Sequence, residues 1–279
     1  MSFDPGPIGT PRPPFASFAV ERAQIRRYAE AIGSHRAREV AGDEAPITFA
    51  MVAAADAIEH ALDPVVAPAV QSLLRGVHAQ HELTLHRPIT PGMVLTTHAT
   101  PVAIAPKRTG TVLQVDARTA DASGAVVAEQ VFTTFVRDVT ADAVAGRYRE
   151  VPEVAGTEPS ERFEVMLADD VTLRYAAASG DYTAFHVDEA AARSAGLPGI
   201  IVHGVCTLAT VIAAIAARAG SRAWRRVAVR FTGLVLPGER LEVGTSGAGA
   251  QAVAFTATGP RGPVLTRGYA EFDEERQGT

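Results

Sequence analysis

The chain has 279 residues, 47% of them hydrophobic and 20% charged, with a formal net charge of −5. That balance excludes a disordered chain, and the lack of a lysine–arginine stripe argues against a nucleic-acid partner. A single cysteine, Cys206, excludes an internal disulfide and fits a reducing, cytoplasmic setting.

Residues 1–14 are rich in proline and lack a basic-then-apolar leader, so an extended arm is expected there. A short helix carrying Tyr28 is predicted over 21–32, and a long apolar helix over 48–62. A strand follows at 81–85, then a turn at Pro91-Gly92, then strands at 111–119 and 126–137 joined by Asp-Ala-Ser-Gly. The stretch from 138 to 162 has little periodicity and reads as a linker.

The order of elements then repeats. A short helix carrying Tyr175 is predicted over 173–178, and an apolar helix over 204–219 with Gly220 as its cap. Strands follow at 227–231, 252–258 and 264–272, with Pro237-Gly238 in the place of Pro91-Gly92. The second long helix is apolar almost all round, so it should be wrapped by other structure. Interrupted by His203, its run from 200 to 217 reads as a buried helix and not as a membrane span. The expected fold class is α+β, a helix wrapped by an antiparallel sheet, twice per chain. The expected boundaries are an arm at 1–14, a first unit at 15–140, a linker at 141–162 and a second unit at 163–279.

Chemistry concentrates in the second unit. Tyr175, Ser179, Gly180, Asp181, Thr183, His186 and Asp188 fall within fourteen residues, and His203-Gly204 opens the apolar helix. A carboxylate and an imidazole are among the parts needed to move a proton. Five residues apart, Asp181 and His186 would diverge on a helix; on an irregular loop hinged at Gly180 they can converge. The Gly204 amide has no helical partner and sits at the positive end of the helix dipole, where an oxyanion is stabilised. A loop or capping aspartate and a structural histidine are the alternative readings. Asp188 reads as the N-cap of a following helix.

Ser179-Gly-Asp181-x₄-His186-x-Asp188, followed by Val202-His203-Gly204, resembles the hydratase-2 motif of MaoC-like (R)-specific enoyl-CoA hydratases and dehydratases. Residues 78–88 resemble the N-terminal domain of the two-domain members. The resemblance implies a double hotdog fold and reversible hydration of trans-2-enoyl thioesters to (R)-3-hydroxyacyl thioesters. It implies Asp181 and His186 as the catalytic pair and Gly204 as the oxyanion donor. Tyr175, Ser179, Thr183 and His203 are read as substrate-binding or supporting residues. The family's usual Asn-Pro is Thr183-Ala184 here, and the usual proline before the final block is Ile200. The implied partner is an acyl thioester of coenzyme A or a carrier protein. No cofactor or metal, no nucleic acid and no membrane are expected, and a homodimer is expected by analogy. A thioesterase on the same fold and a non-catalytic partner subunit are the competing functions.

Three secondary readings complete the expectation. His78, His81 and His86 are taken as solvated or structural. Arg222, Arg225, Arg226 and Arg230 are taken as a solvated strand edge, with coenzyme A phosphates as the alternative. Counted from Tyr28, Ser34 and Glu39 stand where Asp181 and His186 stand, and Phe49-Ala50 where His203-Gly204 stands. The first unit is therefore expected to be non-catalytic, completing the fold or offering room for an acyl chain.

Overall fold

The computed structural model describes residues 2–71, 75–153, 158–247 and 251–273. The ends of the expected arm and second unit (residues 1 and 274–279) and positions 154–157 of the expected linker lie outside them.

The first half runs β1 (Ser17–Ala19), α1 (Arg22–Ala31), α2 (Ala37–Ala41), α3 (Phe49–Leu62), α4 (Pro68–Gln71), β2 (Gly76–Leu85), β3 (Val94–Lys107), β4 (Gly110–Asp121) and β5 (Val126–Arg137). The second runs β6 (Ala145–Gly146), β7 (Glu161–Met166), α5 (Val171–Ser179), α6 (Ala184–Val187), α7 (Glu189–Ser194), α8 (Gly204–Arg218), β8 (Trp224–Phe231), β9 (Arg240–Gly247), β10 (Ala252–Gly259) and β11 (Gly262–Phe272). The strands form one antiparallel sheet in the order β1-β3-β4-β5-β2-β8-β11-β10-β9-β7, with β6 on the outer side of β3. The fold is α+β, with two long helices, α3 and α8, set against that sheet.

The halves meet at β2 and β8. Gln80 faces Arg230, His81 faces Val229 and Leu83 faces Val227 across this antiparallel seam. Strand β8 is thus interior to the sheet, not an edge, which corrects the expectation for its arginines. Arg225 pairs with Glu271, and Arg226 with Glu82 and Glu271. The Arg222 guanidinium lies 4.2 Å over the Phe272 ring.

A shared core explains why the seam forms. Tyr28, Phe49 and Ala50 from the first half pack into the same apolar cluster as Tyr175, Val205, Leu208 and Val227 from the second. Helix α8 buries residues on every side, Val205, Cys206, Leu208, Ala209, Val211, Ile212, Ile215 and Ala216 among them. Trp224 Nε1, at the start of β8, donates to the Ile212 carbonyl of α8 at 3.2 Å.

The N-terminal residues are tied down. Phe3 is buried and bridges to Val66, and the amides of Gly9 and Arg12 donate to the Pro101 and Ala99 carbonyls of β3. None of the described helices is long and apolar enough to cross a membrane.

Candidate active site

Helix α5 ends at Gly180, which adopts φ +82°. A side chain is strained in that left-handed region, so glycine suits the sharp exit that turns the chain toward α8. Ser179 Oγ holds the exit from both sides: it donates to the Tyr175 carbonyl at 2.8 Å and accepts from the Asp181 amide at 3.2 Å. The irregular stretch is shorter than expected, 181–183 only. His186 lies on α6, a single helical turn, and not on a loop. Convergence comes from the bend before α6, which aims that turn back at Asp181.

Asp181, His186 and His203 offer side-chain atoms that all lie within 4.8 Å of one another. Asp181 is exposed; His186 and His203 are buried. Thr183 donates twice to Asp181 Oδ1, from its amide at 3.1 Å and from Oγ1 at 2.7 Å. This fixes the orientation of the carboxylate through a single oxygen, Oδ1. The residue standing in place of the family's asparagine therefore acts directly on the acid. Thr183→Val keeps the amide bond and removes the hydroxyl bond; kcat should fall by up to about tenfold, while Thr183→Ser stays near wild type in steady-state assays.

His186 Nδ1 lies 2.7 Å from the Ile201 carbonyl, which can only accept, so this nitrogen carries the proton. Its Nε2 then presents a lone pair. His203 Nε2 likewise donates to the Asp181 carbonyl at 3.0 Å. The two imidazoles stack, with centroids 3.8 Å apart and planes inclined by 25°. By proximity these three groups also form a candidate metal cluster.

Electrostatics separates acid from base. Burial pushes the Asp181 pKa upward, but His203, the Thr183 hydrogen bonds and His186 outweigh it, and the net shift is downward. Burial, and then neighbouring His203, lower His186 to about 4. Burial lowers His203 as well. At neutral pH the site thus holds an ionised carboxylate beside two neutral imidazoles. A depressed histidine pKa also links stability to pH. Unfolded histidine binds protons more readily, so His186, and His81 (about 4, through burial), cost stability as pH falls from about 6.5 toward 4.

Gly204 follows His203 and begins α8, and among the described residues none accepts from its amide. A Cβ at this position would lie 3.4 Å from the Phe231 ring and 3.5 Å from His78 Cβ. The Cα of Gly204 thus packs closely against the end of β8 and the start of β2. Asp188 caps α7 by accepting from the Ala191 amide at 2.7 Å.

The first half has the same frame with different groups. Ser34 Oγ donates to Glu39, and Arg36 is ion-paired to the same carboxylate. Counted from the first helical residue, Thr48-Phe49 match His203-Gly204, one position earlier than the sequence count. The Phe49 and Ala50 amides are already bonded, to the Pro46 and Ile47 carbonyls. His81 is buried, with Nε2 3.0 Å from Gln130 Oε1, and serves the core; His86 pairs with Glu129 at the surface.

Known proteins agree with this frame. Residues 150–262 match the MaoC like domain, and residues 8–130 match the FAS1-like dehydratase domain region. The chain carries a MaoC-like domain. It is 29% identical over 179 residues to 3-hydroxyacyl-thioester dehydratase X of Mycobacterium tuberculosis, an alignment covering 61% of this chain and 62% of that protein. Against peroxisomal multifunctional enzyme type 2 of Drosophila melanogaster it is 26% identical over 179 residues, covering 60% of this chain and 29% of that one. The chain thus spans under two thirds of either relative. The crystal structure of a MaoC-like dehydratase from Phytophthora capsici superimposes with a TM-score of 0.79 at 20% identity, covering 96% of this chain and 97% of that one. The MaoC-like domain and the half preceding it together have the double hotdog fold.

Proposed function

We propose that the protein is a hydro-lyase that reversibly adds water to a trans-2-enoyl thioester, giving a (R)-3-hydroxyacyl thioester. The observation that supports this best is the ionised Asp181 carboxylate and the His186 Nε2 lone pair in one cluster beside a free helix-opening amide. A water held between the pair is deprotonated as its oxygen bonds to C3. The π electrons of the C2–C3 bond move onto the thioester oxygen, which the Gly204 amide and the α8 dipole stabilise. The pair then returns the proton to C2 on the same face, so one water is consumed and no other reactant is needed.

The catalytic groups come from the second half. The first half has Glu39 engaged by Ser34 and Arg36, and Phe49 where an oxyanion glycine would stand. Coenzyme A or a carrier protein would present the acyl group. The assay is loss of the conjugated enoyl absorbance with crotonyl-CoA and longer esters. Loss without free thiol supports hydration; thiol release would make the protein a thioesterase, and no change at any chain length would make it a non-catalytic partner.

The base must be neutral to act. With His186 at about 4, kcat/KM should hold through pH 6 and fall only as pH drops toward about 4. A pH profile whose acid limb lies at about 6.5, the ordinary histidine value, would assign the essential base elsewhere.

A further inference from the structure

The first half supplies no acid or base, yet it reaches the catalytic imidazole. Tyr28 and Tyr175 occupy matching places on α1 and α5, and their rings lie 5.4 Å apart. Their hydroxyls are 3.4 Å apart. Tyr28 Oη donates to Thr48 Oγ1 at 3.1 Å, so its remaining role toward Tyr175 is as acceptor, and Tyr175 donates. Burial raises both tyrosine pKa values, so both hydroxyls stay protonated. From Tyr175 the contact continues through rings: 4.8 Å to His203, then 3.8 Å from His203 to His186. Matching positions therefore end differently. In the first half the tyrosine meets Thr48 at a helix start; in the second it meets His203.

We propose that Tyr28 and Thr48 are positioning residues for His186, acting through Tyr175 and His203. Each member has one degree of freedom removed by the next. Thr48 fixes the Tyr28 hydroxyl, Tyr28 fixes the Tyr175 hydroxyl, the Tyr175 ring backs His203, and His203 fixes the plane of His186. The Ile201 carbonyl anchors one nitrogen of His186 but leaves the ring free to swing about that bond. The stack removes that swing, and misplacing a reacting group by an ångström is enough to lower a rate substantially. On this account the first half sets the geometry of the acid–base pair, beyond completing the fold. The proposal rests on His186 being the base.

The test uses the full chain and three variants. Tyr28→Phe removes only the hydroxyl, Thr48→Val removes the acceptor at similar volume, and Thr48→Ser keeps it. In Tyr28→Phe and Thr48→Val, kcat should fall about tenfold with KM unchanged within about twofold, while Thr48→Ser stays near wild type. The double variant should be no slower than either single one, because both cut one chain. In ¹⁵N-histidine-labelled protein the His186 and His203 ring signals should move, while surface-exposed His86 stays put. Wild-type kcat in a folded Tyr28→Phe variant, multiplying losses in the double, or unmoved His186 and His203 signals would each overturn the proposal. If the wild-type protein hydrates no enoyl thioester, the functional reading fails by itself, and the ring signals still decide the coupling: moved signals uphold it and unmoved ones end it.

Discussion

Asp181→Asn and His186→Ala should each lower kcat for hydration of a trans-2-enoyl thioester by about 10²–10⁴-fold, the worth of a placed proton-transfer group. The fold should survive both changes. Asp181 is exposed and its contacts are local, to Thr183, Ser179 and His203. His186→Ala leaves the Ile201 carbonyl without its donor and a gap against His203, so a lower melting temperature is expected alongside lost activity. Asparagine at 181 retains the shape and can still accept from Thr183, so the loss isolates the charge. The two groups are taken to share one water, so the double variant should be little worse than the poorer single one. Stopped-flow or steady-state assays at saturating substrate measure this. Either single variant retaining wild-type kcat would remove that residue from the chemistry.

Gly204→Pro should cost about 10²–10³-fold in kcat, the range for loss of one oxyanion donor. Position 204 is the first residue of α8, where proline is well tolerated because the amide has no helical acceptor. The preceding residue, His203, has φ −55° and ψ 136°, a conformation compatible with a following proline. The substitution thus deletes one N–H with little demand on the backbone. Gly204→Ala is the matched control: it keeps the amide and adds a methyl in near-contact with Phe231 and His78. Alanine should retain most of kcat, any loss coming from crowding and appearing chiefly in KM. Equal and small effects of proline and alanine would show that the amide faces no reacting oxygen.

Much of this frame was legible in the sequence because hydrophobic period and turn chemistry are local. The two long helices begin at Phe49 and Gly204, within one residue of expectation, and β5 spans the same residues as its predicted strand. Strand β3 was not legible. Pro101 and Pro106 argue against a strand, yet Pro101 is accommodated where β3 meets the N-terminal segment, whose Gly9 amide donates to its carbonyl. Strands β7 and β9 place charged residues outward opposite each other, Glu164 against Glu242 and Arg162 beside them, which hides their period. The seam between β2 and β8 is a non-local pairing, so nothing near Arg225 and Arg226 announces that their strand is interior.

The site was legible to a similar degree. Asp181, His186 and Gly204 stand out by type and spacing. The partners that orient them do not, because a backbone carbonyl such as that of Ile201 carries no sequence signal. Nor does the second hydrogen bond from Thr183, a residue that looked like a departure from the family pattern. The Ser179 hydroxyl bonded to Tyr175 and Asp181 is closer to a readable feature, since serine just before a helix-ending glycine can bond back to the preceding turn.

The seam has a consequence for cutting the chain. Each half offers the other the bonding partner for an otherwise bare rim, β2 for β8 and β8 for β2. A fragment holding only the MaoC-like domain would present the β8 rim to solvent, along with apolar surface that Tyr28 and Phe49 now cover. Such a fragment would have to recruit a second polypeptide, its own twin included, before it could persist in isolation.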